Sequence, residues 1–182
     1  MSEKIICPLC GQTVSHPVLS KVIDHEQFHG EIQLVQCRNC RMVFLDNWQG
    51  NEQPELYAHY KERMALSKEE IYDPITKGRH RTILTKILKS APGKRLLDVG
   101  CGQGAFISVA CELGWDVLGI EISDEAVELC KKFKLPVEKR DFFSTELKSE
   151  NFDVITMHEV IEHVCEPGRF VQREEELLRK GG

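Results

Sequence analysis

The stretch Leu96-Leu97-Asp98-Val99-Gly100-Cys101-Gly102-Gln103-Gly104 decides the fold, because an apolar strand ends there in a carboxylate and runs straight into a glycine-rich turn. A helical pattern follows, with Phe106, Val109, Ala110 and Leu113 at i, i+3, i+4 and i+7, so that one face can lie on a sheet. Glycines let backbone approach a ligand closely and present N–H groups at the helix start. Working outward, strands are expected at 95–99, 116–121, 135–139 and 152–157. Ser123 followed by Asp124 and Glu125 reads as an N-cap with an acidic first turn. Alternating strands and helices imply right-handed crossovers and a parallel sheet, hence an α/β fold.

Spacing does not name the ligand of that turn. Gly100, Gly102 and Ala105 also satisfy the dinucleotide pattern, with Glu121 at the distance of a ribose-binding acid. Charge separates the two readings. Asp98 is expected at the mouth of the loop, where a dinucleotide places its pyrophosphate, and a like-charged pair at 4 Å costs roughly 4 kcal/mol at an effective dielectric of about 20. S-adenosylmethionine carries a sulfonium and an ammonium and no phosphate, so acids attract it. Glu121 closes the second strand, where it can accept from both ribose hydroxyls. Asp141 follows the third strand, where it can accept from an adenine amino group, with Ile122 and Phe142 able to flank the ring.

With these acids and the segment His158-Glu159-Val160-Ile161-Glu162-His163, residues 94–182 resemble the class I S-adenosylmethionine-dependent methyltransferases, in the branch with Asp-x-Gly-Cys-Gly-x-Gly and Glu-Val-Ile-Glu-His. The resemblance implies a Rossmann-like sheet in which Asp98, Gly100, Cys101, Gly102 and Gly104 shape the methionine end of a pocket. It assigns Glu121 to the ribose and Asp141 to the adenine, with Ile122, Phe142 and Met157 as further lining. It implies His158 or His163 as a base. It also likens Glu159, Glu162 and His163, at i, i+3 and i+4 on one expected helix face, to the divalent-metal ligands of metal-assisted O-methyltransferases; relatives without metal carry the same segment.

At the other end of the chain, Cys7-Pro8-Leu9-Cys10 is matched by Cys37-Arg38-Asn39-Cys40 across 26 intervening residues. Two CxxC knuckles supply four thiolates, the set of a tetrahedral zinc site. Val14, Val18, Val22, Ile32, Leu34 and Val35 fall at mostly strand-like spacing between them, so residues 1–48 read as a zinc ribbon. Roughly 45 residues bury little apolar surface unaided, so a structural metal would supply folding free energy on the order of 10 kcal/mol. A redox CxxC usually occurs once, beside a βαβ unit. Cys101, Cys111, Cys130 and Cys165 lack ligand spacing and read as small buried residues.

Residues 49–92 read as a helical linker that covers the cofactor, with helices at Gln53–Lys68 and Asp73–Leu88 and with Tyr57 and Tyr60 as surface or pocket aromatics. By the resemblance, residues 93–182 are expected to be the first part of a methyltransferase domain. The chain is 41% hydrophobic and 29% charged, with net charge −5 and pI near 5.8, a balance that argues against nonspecific nucleic-acid binding. Lys77 to Arg81 is the densest basic group. A small-molecule acceptor is favoured, whether a sugar, a quinone-like compound or another metabolite. No apolar signal core or membrane-length segment is seen, and unpaired cysteines suit a reducing cytoplasm. A final helix is expected over Pro167–Lys180, closed by Gly181, with four of the seven strands of the resembled fold; a fragment with an unpaired sheet edge, open to dimerisation, is the expectation. Two other classes compete: a nicotinamide-dependent oxidoreductase, and a non-catalytic module whose ribbon docks a protein.

Overall fold

The computed structural model describes residues 5–13, 16–25, 28–46, 71–149 and 151–182. The expected helix Gln53–Lys68, with Tyr57 and Tyr60, and Val14 lie outside them. The chain divides into two compact units, 1–52 with 162–172, and 53–161 with 173–182.

The first unit carries an antiparallel sheet of three strands: β1 (His16–His25), β2 (Phe28–Gln36) and β3 (Val43–Leu45), in that spatial order. Two knuckles flank it with the same backbone pattern. The Gly11 and Arg41 N–H groups donate to the Cys7 and Cys37 carbonyls at 2.9 Å each, and the Cys7 and Cys37 N–H groups donate to Gln12 and Met42. Both turns need a left-handed residue, at φ 70° for Gly11 and 67° for Arg41. Only the first is glycine. Arg41→Gly is therefore expected to stabilise the ribbon by about 1 kcal/mol, measured by thermal melting; a lower melting temperature would refute the parallel between the knuckles. Among the described residues Cys7, Val35, Cys37 and Phe44 are buried, while Val18, one of the residues at strand-like spacing, and its neighbour Leu19 are about half exposed.

In the second unit all strand pairings are parallel. β4 (Arg95–Val99), β5 (Asp116–Glu121), β6 (Val137–Lys139) and β7 (Val154–Thr156) lie in the order β6-β5-β4-β7. The chain crosses outward from β4 to β6 and then returns to the far side of β4. Strand order thus reverses beside β4, and the carboxyl end of such a switch point is where α/β sheets take ligands. β6 starts later than expected because Pro136 has no N–H to give the ladder, although its carbonyl accepts from Gly119 at 2.9 Å. β7 is shorter too: Phe152 bridges Leu178 in parallel, on the edge expected to be bare.

Among the described residues four α-helices accompany the sheets. α1 (Pro74–Leu88) starts at an Asp73 cap, whose Oδ1 accepts from Ile75 and Thr76 N–H at 2.8 and 3.1 Å. Lys77 and Arg81, from the basic group on this helix, pair with Glu112. α2 (Ala105–Glu112) buries Phe106, Ile107, Val109 and Ala110. Ile107, outside the expected stripe, faces Gly119, where a β-carbon would stand 3.1 Å from its Cδ1. α3 (Asp124–Lys132) carries the expected Ser123 cap, with acids in its first turn and Lys131 and Lys132 in its last. α4 (Pro167–Leu177) stops before Gly181, because the Leu177 carbonyl is taken by the Asn151 and Phe152 N–H groups and the chain turns to pair with Phe152.

Candidate functional site

Gly100, Gly102 and Gly104 all have left-handed φ, of 66°, 53° and 78°, so the loop after β4 coils tightly into α2. A β-carbon on Gly100 would sit 2.5 Å from Val160 Cγ2, and one on Gly104 would sit 2.5 Å from Leu135 Cδ1 and 2.9 Å from Cys130 Sγ. These glycines are fixed by neighbours as well as by backbone angle.

The loop differs from its sequence-based picture in one respect. Four N–H groups are consumed inside the protein: Gly100 and Cys101 donate to the Ile120 carbonyl at 2.9 and 3.2 Å, Gly104 donates to Cys101 at 3.0 Å, and Gly102 donates to Glu121 Oε2 at 3.0 Å. None of these is a free donor for a phosphate. Glu121 Oε1 meanwhile accepts from Ile122 and Ser123 N–H at 2.7 and 3.0 Å. A carboxylate has about four acceptor positions, so the 8% exposed Glu121 keeps one to offer a ligand hydroxyl rather than the two expected.

Asp98 is not at the mouth of the loop. It is 2% exposed, and its Oδ1 accepts from Thr156 Oγ1 at 2.6 Å across the β4–β7 pair. Burial pushes its carboxyl up to about 7 against the Thr156 hydrogen bond, with the Glu121 charge adding to the rise. A folded carboxyl that binds its proton more tightly than the unfolded one loses stability as pH rises from about 4, where the unfolded carboxyl ionises, through about 7. The full cost, on the order of 4 kcal/mol, is present above that window. Asp98→Asn is expected to flatten this fall and to stabilise the ligand-free protein at pH 8. Melting followed between pH 5 and pH 8 checks it, and parallel curves for the two proteins would refute it.

Asp141 is exposed; Oδ1 accepts from Phe143 N–H at 2.7 Å, and Oδ2 has no partner among the described residues. Phe142 is only 4% exposed and supports this turn from within, whereas Ile122 and Phe143, at 55% and 37%, offer the apolar surface beside it. The Cys101 thiol lies against Gly119; the Cys130 thiol, burial, and the Asp98 and Glu121 charges push its pKa far up, so it stays protonated. Met157 follows β7 and is half-buried.

The segment after β7 is not an α-helix. His158, Glu159 and Val160 form a turn with Glu159 at φ 55°, followed by a single 3-10 turn at Ile161–His163. The i, i+3, i+4 spacing of Glu159, Glu162 and His163 therefore does not place them on one helical face. Glu159 also belongs to the second unit, and Glu162 and His163 to the first.

Three contributors escaped the sequence reading. Thr156 anchors Asp98, Tyr72 donates to the Gln103 carbonyl at 3.1 Å and so steadies the glycine loop, and His80 on α1 stacks on His158. A hydroxyl inside an apolar strand was a signal for Thr156; nothing local marked the other two.

In the first unit, Cys7, Cys10, Cys37 and Cys40 bring their sulfurs within 4.8 Å of one another, the one metal-type cluster among the described residues. Cys7–Cys40 and Cys10–Cys37 stand at 3.6 and 3.5 Å. Zinc–sulfur bonds of about 2.3 Å in a tetrahedron hold sulfurs roughly 3.8 Å apart, so the quartet fits. Its protonation fits as well. The Gln12 N–H, helped by the Asn39 side chain, lowers the Cys10 thiol to about 6, while Cys40, despite the Met42 N–H, is pushed up to about 12 by burial and the other three thiols. Four thiolates cannot gather without a cation.

Comparison with known proteins finds relatives of the second half of the chain. Residues 97–182 match the model of the methyltransferase domain family. The ubiquinone biosynthesis O-methyltransferase of Pelagibacter ubique is 37% identical over 93 residues, 48% of this chain and 39% of that protein. The protein of the same name from Leptothrix cholodnii is 33% identical over 98 residues, 50% of this chain and 42% of its own length. The chain thus spans about two fifths of the curated relatives it matches. An S-adenosylmethionine-dependent methyltransferase from Archaeoglobus fulgidus superposes with TM-score 0.51 at 23% identity, over 68% of this chain and 53% of that one, and shows a shared fold. Among the described residues no helix is long and apolar enough to cross a membrane.

Proposed function

We propose that residues 93–182, covered by the linker 49–92, bind S-adenosylmethionine for methyl transfer to a hydroxyl of a small molecule, and that residues 1–48 are a ribbon held by structural zinc. The observation that carries the reading is the pairing of a glycine loop that spends four N–H groups internally with the carboxylates of Glu121 and Asp141 at the ends of two neighbouring strands. Such a crevice repels a pyrophosphate and receives a cation. The nicotinamide alternative needs loop donors, four of which are already used inside the protein.

Glu121 would take a ribose hydroxyl at its remaining acceptor position. Asp141 Oδ2 would accept from an adenine amino group over Ile122 and Phe143, and the glycine turn would admit the methionine end, with Cys101 and Met157 beside it. The bound cofactor supplies an electrophilic methyl on sulfur. The protein's own part is to align an acceptor oxygen and to remove its proton, with His158 at the carboxyl end of β7 as the base. The hydroxyl class follows the O-methyltransferases among the relatives. The quartet Cys7, Cys10, Cys37 and Cys40 would hold zinc with no open position, which suits a structural role.

A thermal shift tests this reading. S-adenosylhomocysteine at a hundred times its Kd is expected to stabilise the chain by about 2.7 kcal/mol, with NADH inert at equal concentration. Stabilisation by NADH alone would overturn the assignment.

A further inference from the structure

The acidic crevice does not use all the chemistry gathered at the carboxyl end of β7. Three rings from three segments meet there: His158 in the turn that follows Met157 after β7, Phe106 in the first turn of α2, and His80 in the middle of α1. The Phe106 and His158 centroids are 4.4 Å apart, His80 meets Phe106 edge-on at 5.3 Å, and the two imidazoles stack at 6.3 Å with their planes 30° apart. His158 faces solvent on its outer side, whereas His80 is half-buried and its Nδ1 is enclosed with no hydrogen-bond partner among the described residues. Two residues on, Val160 lies over Gly100, so this ring cluster and the glycine loop share one wall of the crevice.

A titratable pair under an apolar ring is a costly way to fill space, since burying a polar nitrogen without a partner is unfavourable. We propose that His158 takes the proton of the acceptor hydroxyl and that His80 is its positioning residue, stacked beneath the ring to orient it and exclude water from its inner face. This rests on the methyltransferase reading above. As the acceptor oxygen forms its bond to the methyl carbon, the carbon–sulfur bond breaks and its electron pair returns to sulfur. The hydroxyl proton passes to His158, whose outer side can release it to water.

The charges around the pair agree. Burial holds His158 below its ordinary range, opposed by Glu159. Burial also holds His80 down, with His158 and Arg79 opposing its charge and the Ala105 carbonyl and Asp73 favouring it. The pair therefore carries at most one proton near neutrality, and His158 is free to accept it.

Histidine ring resonances of the full chain, followed by NMR against pH, test the pair. The sulfonium of S-adenosylmethionine is expected to lower the His158 midpoint by roughly one pH unit relative to uncharged S-adenosylhomocysteine. His80→Ala should raise the ligand-free His158 midpoint toward its ordinary value as water reaches the ring, and His80→Phe, which keeps an apolar wall, should restore it. His158→Phe should raise the midpoint of His80. Circular dichroism confirms that each variant is folded. Equal His158 midpoints with both ligands, or no response to His80→Ala, would overturn the pairing while a thermal shift by S-adenosylhomocysteine left the methyltransferase reading standing. Absence of that thermal shift would overturn the reading and this inference with it.

Discussion

Cys37→Ser is expected to unfold the ribbon of residues 5–46, the largest loss of stability among single substitutions in this chain. Cys37 is fully buried, its N–H and carbonyl close the second knuckle, and its sulfur lies 3.5 Å from that of Cys10. Among the described residues only Val35 and Phe44 join the cysteines as buried members of that core, far too few to offset the entropy of ordering three strands. Losing one thiolate removes most of a metal contribution on the order of 10 kcal/mol. Zinc release measured with a chromophoric chelator should give one equivalent from the wild type and none from the variant. Amide exchange at Leu34 to Gln36 should lose protection in the variant and in chelator-treated wild type. Protection that survives metal removal would show that the ribbon stands without zinc.

Glu121→Gln should strike both the loop and the donor site. One carboxylate now receives three backbone N–H groups, from Gly102, Ile122 and Ser123. An amide has a single oxygen, so whichever way it turns, its NH2 faces at least one of those donors. Stranding a donor in a site that is 8% exposed costs about 2 kcal/mol. The acceptor position left for a ribose hydroxyl is disturbed at the same time, and S-adenosylhomocysteine affinity should fall at least roughly tenfold, equivalent to about 1.4 kcal/mol. Melting and calorimetry read the two effects separately. Unchanged affinity would mean that Glu121 serves the loop alone.

The acids after β4 and β5 were legible because position in a βαβ unit fixes where a strand-end side chain can go. What they touch was not. Asp98 was expected to face a ligand, yet the parallel pairing of β4 with β7 brings Thr156 against it and buries both, a contact between residues 58 apart in sequence. The glycines were read as allowing close approach of backbone to a ligand, but their N–H groups, expected to be free, are claimed by Ile120, Cys101 and Glu121. The Glu159, Glu162 and His163 spacing suggested a metal face only so long as the segment was helical, and a left-handed Glu159 ends that. His80 carried no local sign at all, being one polar residue within the basic group of the helix Pro74–Leu88.

Sequence alone determined the order of the four parallel strands and of helices α1 to α4, the glycine turn into α2 and the four-cysteine cluster. Each of these rests on short-range physics: periodicity, the freedom of glycine, and ligand spacing within a knuckle. Only the tertiary structure decided the protonation of Asp98, the single acceptor position left on Glu121 and the stacking of His80 on His158. Those depend on burial and on partners delivered by crossovers between distant segments, which no local pattern encodes.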